Sequence, residues 1–315
     1  MTGDTLPFVK MQALGNDYVV VEAQHFARHD VDLAALAQRV CARWTGVGAD
    51  GLIVLGGPTD RAHATMRIIN ADGSDGGRCG NGLRCVARLL CEQGKGERVS
   101  AQQVTLRIDV GDCALDAHVT LGDAFAFVSA TVDMDAPDFS LETARADEAS
   151  LRCDGPLRSE PAAMREEHVW MWRFPNAPGE VAMVCIGNPH VIAFMQPDAK
   201  PGSDTALDER FACIARSLAQ HRAFARGINA HVARVDSEQT LTLRSWERGV
   251  GETRACGTGA CAAVAAGLAL GLLSGQVTVR MKGGSLLIER LSTGPGVMRM
   301  TGGAKFVFAG EVPLA

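Results

Sequence analysis

The chain carries two short stretches that repeat one another, Cys79-Gly80-Asn81-Gly82 and Cys256-Gly257-Thr258-Gly259. An apolar run follows each, over 83–93 and 260–273, and reads as a helix. A thiol just ahead of a helix sits among unpaired backbone N–H groups at the positive end of the helix dipole. Both features lower the cost of a thiolate. Two such thiols suit acid/base work in which one takes a proton from a carbon and the other returns a proton to the opposite face.

The repetition extends beyond the cysteines. Gly15-Asn16-Asp17-Tyr18-Val19-Val20 is similar to Gly187-Asn188-Pro189-His190-Val191-Ile192, and the order of the motifs is the same in both halves. Asn70 precedes Cys79 by the same interval as Glu247 precedes Cys256. The pattern implies two related halves, each supplying an Asn loop and a Cys loop. Glu247-Arg248 offers an acid and a base that could hold the ammonium and carboxylate of an amino acid, the guanidinium in a two-pronged grip; an exposed surface pair is the other reading. Asn16, Asn70, Asn188 and Asn229 offer neutral amide contacts, though any one of them could serve a turn. His190 is either a loop histidine satisfied locally or a neighbour that tunes a thiol.

Other motifs are negative. Gly46-Val47-Gly48-Ala49-Asp50-Gly51 has glycine spacing like that of a dinucleotide site, but it follows a helix and precedes a strand, the reverse of the order such a site needs. No G-x-S-x-G elbow occurs. Cys79 with Cys85, and Cys256 with Cys261, lack the close pairing of a structural zinc site, so no metal is expected. The ten cysteines are scattered, with no secretory leader visible, which fits a reduced cytoplasmic protein; Cys41, Cys91 and Cys185 read as small core residues. A net charge of −5 gives no reason to expect nucleic acid or an anionic membrane as partner.

The elements that must position these residues follow from periodicity. Phe8–Lys10 and Tyr18–Val21 read as strands flanking the first Asn loop, and a helix from about 33 to 44, capped by Asp30 or Asp32, follows. Leu52–Leu55 and Thr65–Ile69 are strands leading to the loop before Cys79. Further strands are expected at 103–110, 113–121 and 124–134, then an irregular excursion over 137–178 with a strand near Trp170. The second half reads as a strand at 181–186, a helix at 207–224 and strands at 230–235 and 240–246, then the second Cys loop. Two hairpins, 276–282 with 285–291 and 297–301 with 304–309, close the chain. Successive strands with few helices predict an α+β fold of two similar lobes, each a curved, mostly antiparallel sheet around a central helix, with the site in a cleft between them.

Together these motifs resemble the diaminopimelate epimerase family. Its Gly-Leu-Gly-Asn-Asp-Phe stands here as Ala13-Leu14-Gly15-Asn16-Asp17-Tyr18. Asn70-Ala71-Asp72-Gly73-Ser74, the first Cys loop, Gly187-Asn188-Pro189-His190, Glu247-Arg248-Gly249 and the second Cys loop also fit. The resemblance implies an isomerase that interconverts LL- and meso-diaminopimelate without cofactor, in lysine and peptidoglycan precursor synthesis, acting as a homodimer. Cys79 and Cys256 then correspond to the proton-transfer groups, the first acting on the LL isomer and the second on the meso isomer. Asn16, Asn70, Asn188, Asn229, Glu247 and Arg248 correspond to substrate contacts, with Gly80, Asn81, Gly257 and Thr258 donating backbone N–H groups; His190 and Glu247 adjust the thiols. The implied lobes are 1–129 with 303–315, and 130–302. Gly51 stands where some members have Gln, and Phe308 where some have a Tyr at the dimer contact. A proline or hydroxyproline racemase of the same architecture is the alternative, and it needs no second amino-acid clamp.

Overall fold

The computed structural model describes residues 5–26, 31–154, 157–161, 168–173, 180–195, 204–292 and 296–314. They divide into two compact units, Met1–Asp133 with Thr301–Ala315, and Met134–Met300.

In the first unit, β1 (Thr5–Ala13) and β2 (Asn16–Glu22) form an antiparallel pair turning at Leu14-Gly15, where both residues have positive φ. Helix α1 (Leu33–Cys41) crosses to β3 (Gly51–Gly56), which lies parallel to β2 with Tyr18 opposite Gly51. Strand β4 (Ala64–Asn70) returns antiparallel to β3 and leads into α2 (Gly80–Glu92). Then β5 (Glu97–Ser100), β6 (Gln103–Val110), β7 (Cys113–Leu121) and β8 (Phe127–Asp133) complete an antiparallel run, with β6 also parallel to β4. Helix α2 packs against β1, β6, β7 and β8. Its Leu83, Cys85, Val86, Ala87 and Leu90 are wholly buried, so this helix is the unit's centre rather than a surface layer.

The second unit repeats that topology. After α3 (Glu148–Asp154), β9 (Leu157–Pro161) and β10 (His168–Arg173) pair antiparallel within the expected excursion; the rest of 155–179 lies outside the described residues. Strands β11 (Glu180–Cys185) and β12 (Pro189–Met195) are antiparallel, like β1 and β2. Helix α4 (Asp204–Ala219) crosses to β13 (Asn229–Ser237), parallel to β12. Strand β14 (Thr240–Glu247) returns antiparallel, and the short β15 (Gly251–Thr253) leads to α5 (Gly257–Ala269). Strand β16 (Val277–Met281) is parallel to β14 as β6 is to β4, and β17 (Gly284–Arg290) is its hairpin partner. Helix α5 packs on strands from β11 to β17, and every residue from Gly259 to Ala269 is buried.

The differences from expectation have local causes. Helix α1 ends at Cys41 rather than near 44, because the chain turns so that Gly46, Gly48 and Ala49 donate to carbonyls of the last helical turn. Trp44, expected on the apolar helix face, is therefore 97% exposed. Both central helices begin three residues earlier than their apolar runs, since the Gly-x-Gly segments form the first turn. The final expected hairpin differs too: the strand Lys305–Pro313 forms its ladder with β1, from Thr5 opposite Pro313 to Gln12 opposite Lys305. Cys91 is only partly buried.

Asp32, not Asp30, caps α1, its Oδ1 accepting from Ala34 N at 2.9 Å and Ala35 N at 3.2 Å; Asp30 lies outside the described residues. Replacing Asp32 with Ala should cost about 1 kcal/mol in a urea titration, the usual value of a lost cap.

Candidate active site

Cys79 and Cys256 each occupy the N-cap of a central helix, in nearly the same extended conformation, φ −132° with ψ 110° and φ −125° with ψ 111°. Neither side chain caps its helix, so the first-turn N–H groups keep their capacity to meet a negative charge. Close packing brings those N–H groups to their places. A Cβ on Gly82 would lie 2.9 Å from Ile68 Cδ1, and one on Gly259 would lie 2.2 Å from His231 Cε1. Only glycine lets each helix start come this near.

Around Cys79 the side chains form a connected set. The Tyr18 hydroxyl lies 3.0 Å from the Cys79 sulfur and also bonds to Asn16 Oδ1. Asn16 Nδ2 donates to Asp50 at 2.5 Å, and Asn81 Nδ2 donates to Asn16 Oδ1 at 3.3 Å. Asn81 is anchored in turn by the wholly buried Arg84, whose Nη2 reaches its Oδ1 at 2.7 Å. Asp50 and Asp17 share Arg43, at 2.6 and 3.0 Å, and Lys10 lies 2.9 Å from Asp17. Asn70 sits at the end of β4; its Nδ2 donates to Ser74 Oγ at 3.0 Å and its N–H to Ser74 O at 2.8 Å, so its own bonds hold the 70–74 turn.

Cys256 is 4% exposed, whereas Cys79 is partly open. Burial pushes the Cys256 thiol well above the usual thiol range, and the Glu247 carboxylate adds to this; the Thr258 hydroxyl and the Gly259 N–H pull the other way. Thr258 Oγ1 is 3.6 Å from the sulfur, and Thr253 Oγ1 holds Glu247 at 2.6 Å. Asn229 joins two loops: its Nδ2 donates to Pro189 O at 3.1 Å, and its Oδ1 accepts from Arg248 N at 2.9 Å. The Arg248 side chain is exposed and lies across Gly227, where a Cβ would meet its Cδ at 2.8 Å.

His190 is buried in a chain of hydrogen bonds. Its Nε2 lies 2.7 Å from Asn188 Oδ1, its Nδ1 lies 2.9 Å from His231 Nε2, and His231 Nδ1 lies 3.0 Å from Ser245 Oγ. An amide oxygen can only accept, so His190 Nε2 carries the hydrogen; His231 Nε2 then donates to His190, and Ser245 donates to His231. Both rings are neutral: burial, then each other's proximity and Arg248, holds His190 well below its usual range, and burial lowers His231 to about 3. The bonds of His190 thus orient Asn188.

Sequence reading missed Tyr18, Asp50 and His231 as members of these networks. Tyr18 was visible only as an aromatic after Asn-Asp, Asp50 was overlooked beside Gly51, and His231 follows Asn229 by two along β13. Gly51 itself has a packing reason, since a Cβ there would lie 2.9 Å from Ile69 O. Among the described residues no group of three His, Cys, Asp or Glu side chains is placed to hold a metal ion.

The whole architecture resembles solved structures whose sequences are far removed. They include a PhzF-family phenazine biosynthesis protein from Bacillus anthracis (TM-score 0.68, 14% identity, covering 98% of this chain and 99% of that one). A probable proline racemase from Agrobacterium radiobacter also matches (TM-score 0.64, 13% identity, covering 98% and 93%). The chain thus shares its mostly-sheet α+β fold with these two proteins. The diaminopimelate epimerase profile matches residues 8–123 and 182–307. A diaminopimelate epimerase from Moorella thermoacetica is 38% identical over 307 residues, covering 98% of this chain and 99% of its own. One from Halorhodospira halophila is 36% identical over 311 residues, covering 98% and 95%. The chain belongs to the diaminopimelate epimerase family, and it is an isomerase.

The two neutral histidines make stability depend on pH. Each folded-state pKa lies below the unfolded value of 6.5, so the unfolded chain binds more protons as pH falls, and stability drops from about pH 6.5 downward. His231 alone contributes a loss of up to ~1.4 kcal/mol per pH unit, continuing to about pH 3. In denaturant titrations between pH 7 and pH 5, His231→Gln should show a smaller loss than the wild type; an equal loss would contradict the neutral assignment.

Proposed function

We propose that this chain interconverts LL- and meso-2,6-diaminopimelate by a two-base mechanism without a cofactor, with Cys79 and Cys256 as the proton-transfer groups. The observation that carries this reading is the pair of cysteines at equivalent N-caps of two central helices, in a chain of this family. One sulfur, as thiolate, removes the α-proton; the other, as thiol, protonates the opposite face. Cys256 is held protonated by burial and by Glu247, which fits the direction in which Cys79 is the base. That direction is the one the family resemblance assigns to the LL isomer.

The α-carbon of an amino acid is a very weak acid, so charge developing on the adjacent carboxylate must be met by donors already in place. Gly80, Asn81, Gly257 and Thr258 supply N–H groups from the two helix starts in this proposal. Asn16, Asn70, Asn188 and Asn229, with Glu247 and Arg248, take the remaining ammonium and carboxylate groups. Exposed Arg248, its backbone fixed by Asn229, is suited to a carboxylate. The set of an acid, an arginine and several amides favours a substrate with a distal amino-acid end over proline. A homodimer belongs to the same proposal, supported by the exposed Val307 and Phe308 on the last strand. So does a cytoplasmic location, where lysine and peptidoglycan precursors are made; among the described residues no helix is long and apolar enough to cross a membrane.

The test is deuterium wash-in from solvent. LL-Diaminopimelate should exchange its α-hydrogen and yield the meso isomer, whereas proline should not. Cys79→Ser and Cys256→Ser should each lose turnover by ~10²-fold or more, the scale of a positioned acid or base. Undiminished isomerisation in both variants would remove the mechanism, and exchange with proline alone would favour the racemase reading.

A further inference from the structure

Tyr18 is the chain's one tyrosine. It is 3% exposed, and its hydroxyl has two neighbours, the Cys79 sulfur at 3.0 Å and Asn16 Oδ1. The orientation of Asn16 is set from behind, because its Nδ2 donates to Asp50. Its Oδ1 can only accept, so in this arrangement the phenol donates to Asn16 and offers a lone pair to the Cys79 S–H. Once Cys79 is ionised the sulfur has nothing to donate, and the phenol proton faces a charged acceptor instead. Such a charge-assisted bond is about twice as strong as a neutral one. The amide oxygen is not stranded by the change, since Asn81 Nδ2 still donates to it.

We propose that Tyr18 is a positioning residue which accepts from the Cys79 thiol and donates to the Cys79 thiolate, fixing the sulfur through both protonation states and favouring the ionised one. This rests on Cys79 being a proton-transfer group, as read above. Burial, reinforced by the charge of Cys79, holds the Tyr18 phenol well above its usual range, so it remains an O–H donor throughout. The charged groups nearby are already engaged. Lys10 on β1 and Asp17 on β2 pair with each other, Asp50 before β3 pairs with Arg43, and Arg84 on α2 holds Asn81. Arg78 donates to Cys113 at 2.7 Å, and Cys85 is a buried thiol pushed up to about 12. Of the groups with a bond shown here to the Cys79 sulfur, Tyr18 alone can reverse its role by turning one O–H.

The experiment follows the pH dependence of iodoacetamide alkylation at Cys79, read by mass spectrometry of its peptide in the Cys256→Ala protein so that no second thiol shares the proton. Adding Tyr18→Phe should raise the midpoint by about one pH unit, an approximately tenfold fall in reactive thiolate below it. A packing role alone would leave the midpoint in place. Because the chain has one tyrosine, uniform labelling with 3-fluorotyrosine gives a second reading that keeps the phenol. Its single fluorine resonance should move with the same midpoint as the alkylation. A midpoint that stays or falls in Tyr18→Phe, or a fluorine signal indifferent to Cys79 ionisation, would overturn the proposal. Wild-type isomerisation is measured alongside. A shifted midpoint without isomerisation supports the Tyr18–Cys79 coupling and removes the functional reading; isomerisation with an unmoved midpoint removes the coupling alone.

Discussion

A helix that begins inside a protein leaves its first N–H groups without partners in the helix, and the rest of this structure is arranged around that constraint twice. Helices α2 and α5 both start in the interior of their units, and both place at the N-cap a side chain that does not close the helix. Asp32 shows what an ordinary start looks like here, with a carboxylate oxygen satisfying two N–H groups at once. Replacing such a residue with cysteine sacrifices a cap but leaves an anion-attracting end beside a thiol. Gly82 and Gly259 extend the same arrangement, since each lets a helix start approach neighbouring side chains more closely than any other residue would.

The two halves share a topology yet differ around the sulfur. At Cys79 the neighbour is a hydroxyl that can both give and take, and the surrounding charges are paired among themselves. At Cys256 the neighbours are a hydroxyl at longer range and a carboxylate, in a site with almost no solvent. A partly open thiol with an amphoteric partner and a buried thiol facing a negative charge do not ionise alike. Under the proposed two-base mechanism, in which the pair would hold one proton and one charge, such a difference would favour one arrangement at rest. The equivalent positions of the two halves carry different residues, Tyr18 against His190 in the Asn loops and Asn81 against Thr258 in the Cys loops.

Much of this was legible in the sequence, for physical reasons. The repeated Cys-Gly-x-Gly segments, the Asn loops and the order of strands carried the fold and the central residues, because glycine spacing and apolar periodicity are local signals. The boundaries that failed did so where distant packing decides. The start of each central helix is Gly-x-Gly, with no apolar period to read, and Trp44 keeps the period while the chain has already turned away. The strand 305–313 pairs with β1, a partner from the other end of the sequence, so no hairpin signal could reveal it. Asp50 and His231 were invisible for the same reason: their partners, Asn16 and Ser245, belong to other strands. His190 was recognised, but its bonds run to Asn188 and His231, which only the folded register brings to it.

The surroundings of the sulfurs also bear on a conflict in abstracting a weakly acidic proton. A thiolate made costly by burial is a stronger base once formed, but it is formed less often, and each pH unit gained in basicity is worth ~1.4 kcal/mol on both sides of that exchange. Burial alone therefore gains nothing. In the proposed mechanism, what would break the tie is a contribution that stabilises charge wherever it sits along the reaction, on sulfur first and on the substrate carboxylate later. Fixed N–H groups at a helix start do this without reorganising, because they are held by the backbone and do not follow the proton. The two sulfurs differ in what stands beside them: at Cys79 the neighbours Tyr18 and Asn16 carry no permanent charge, whereas at Cys256 the Glu247 carboxylate favours the protonated state and the Thr258 hydroxyl opposes it.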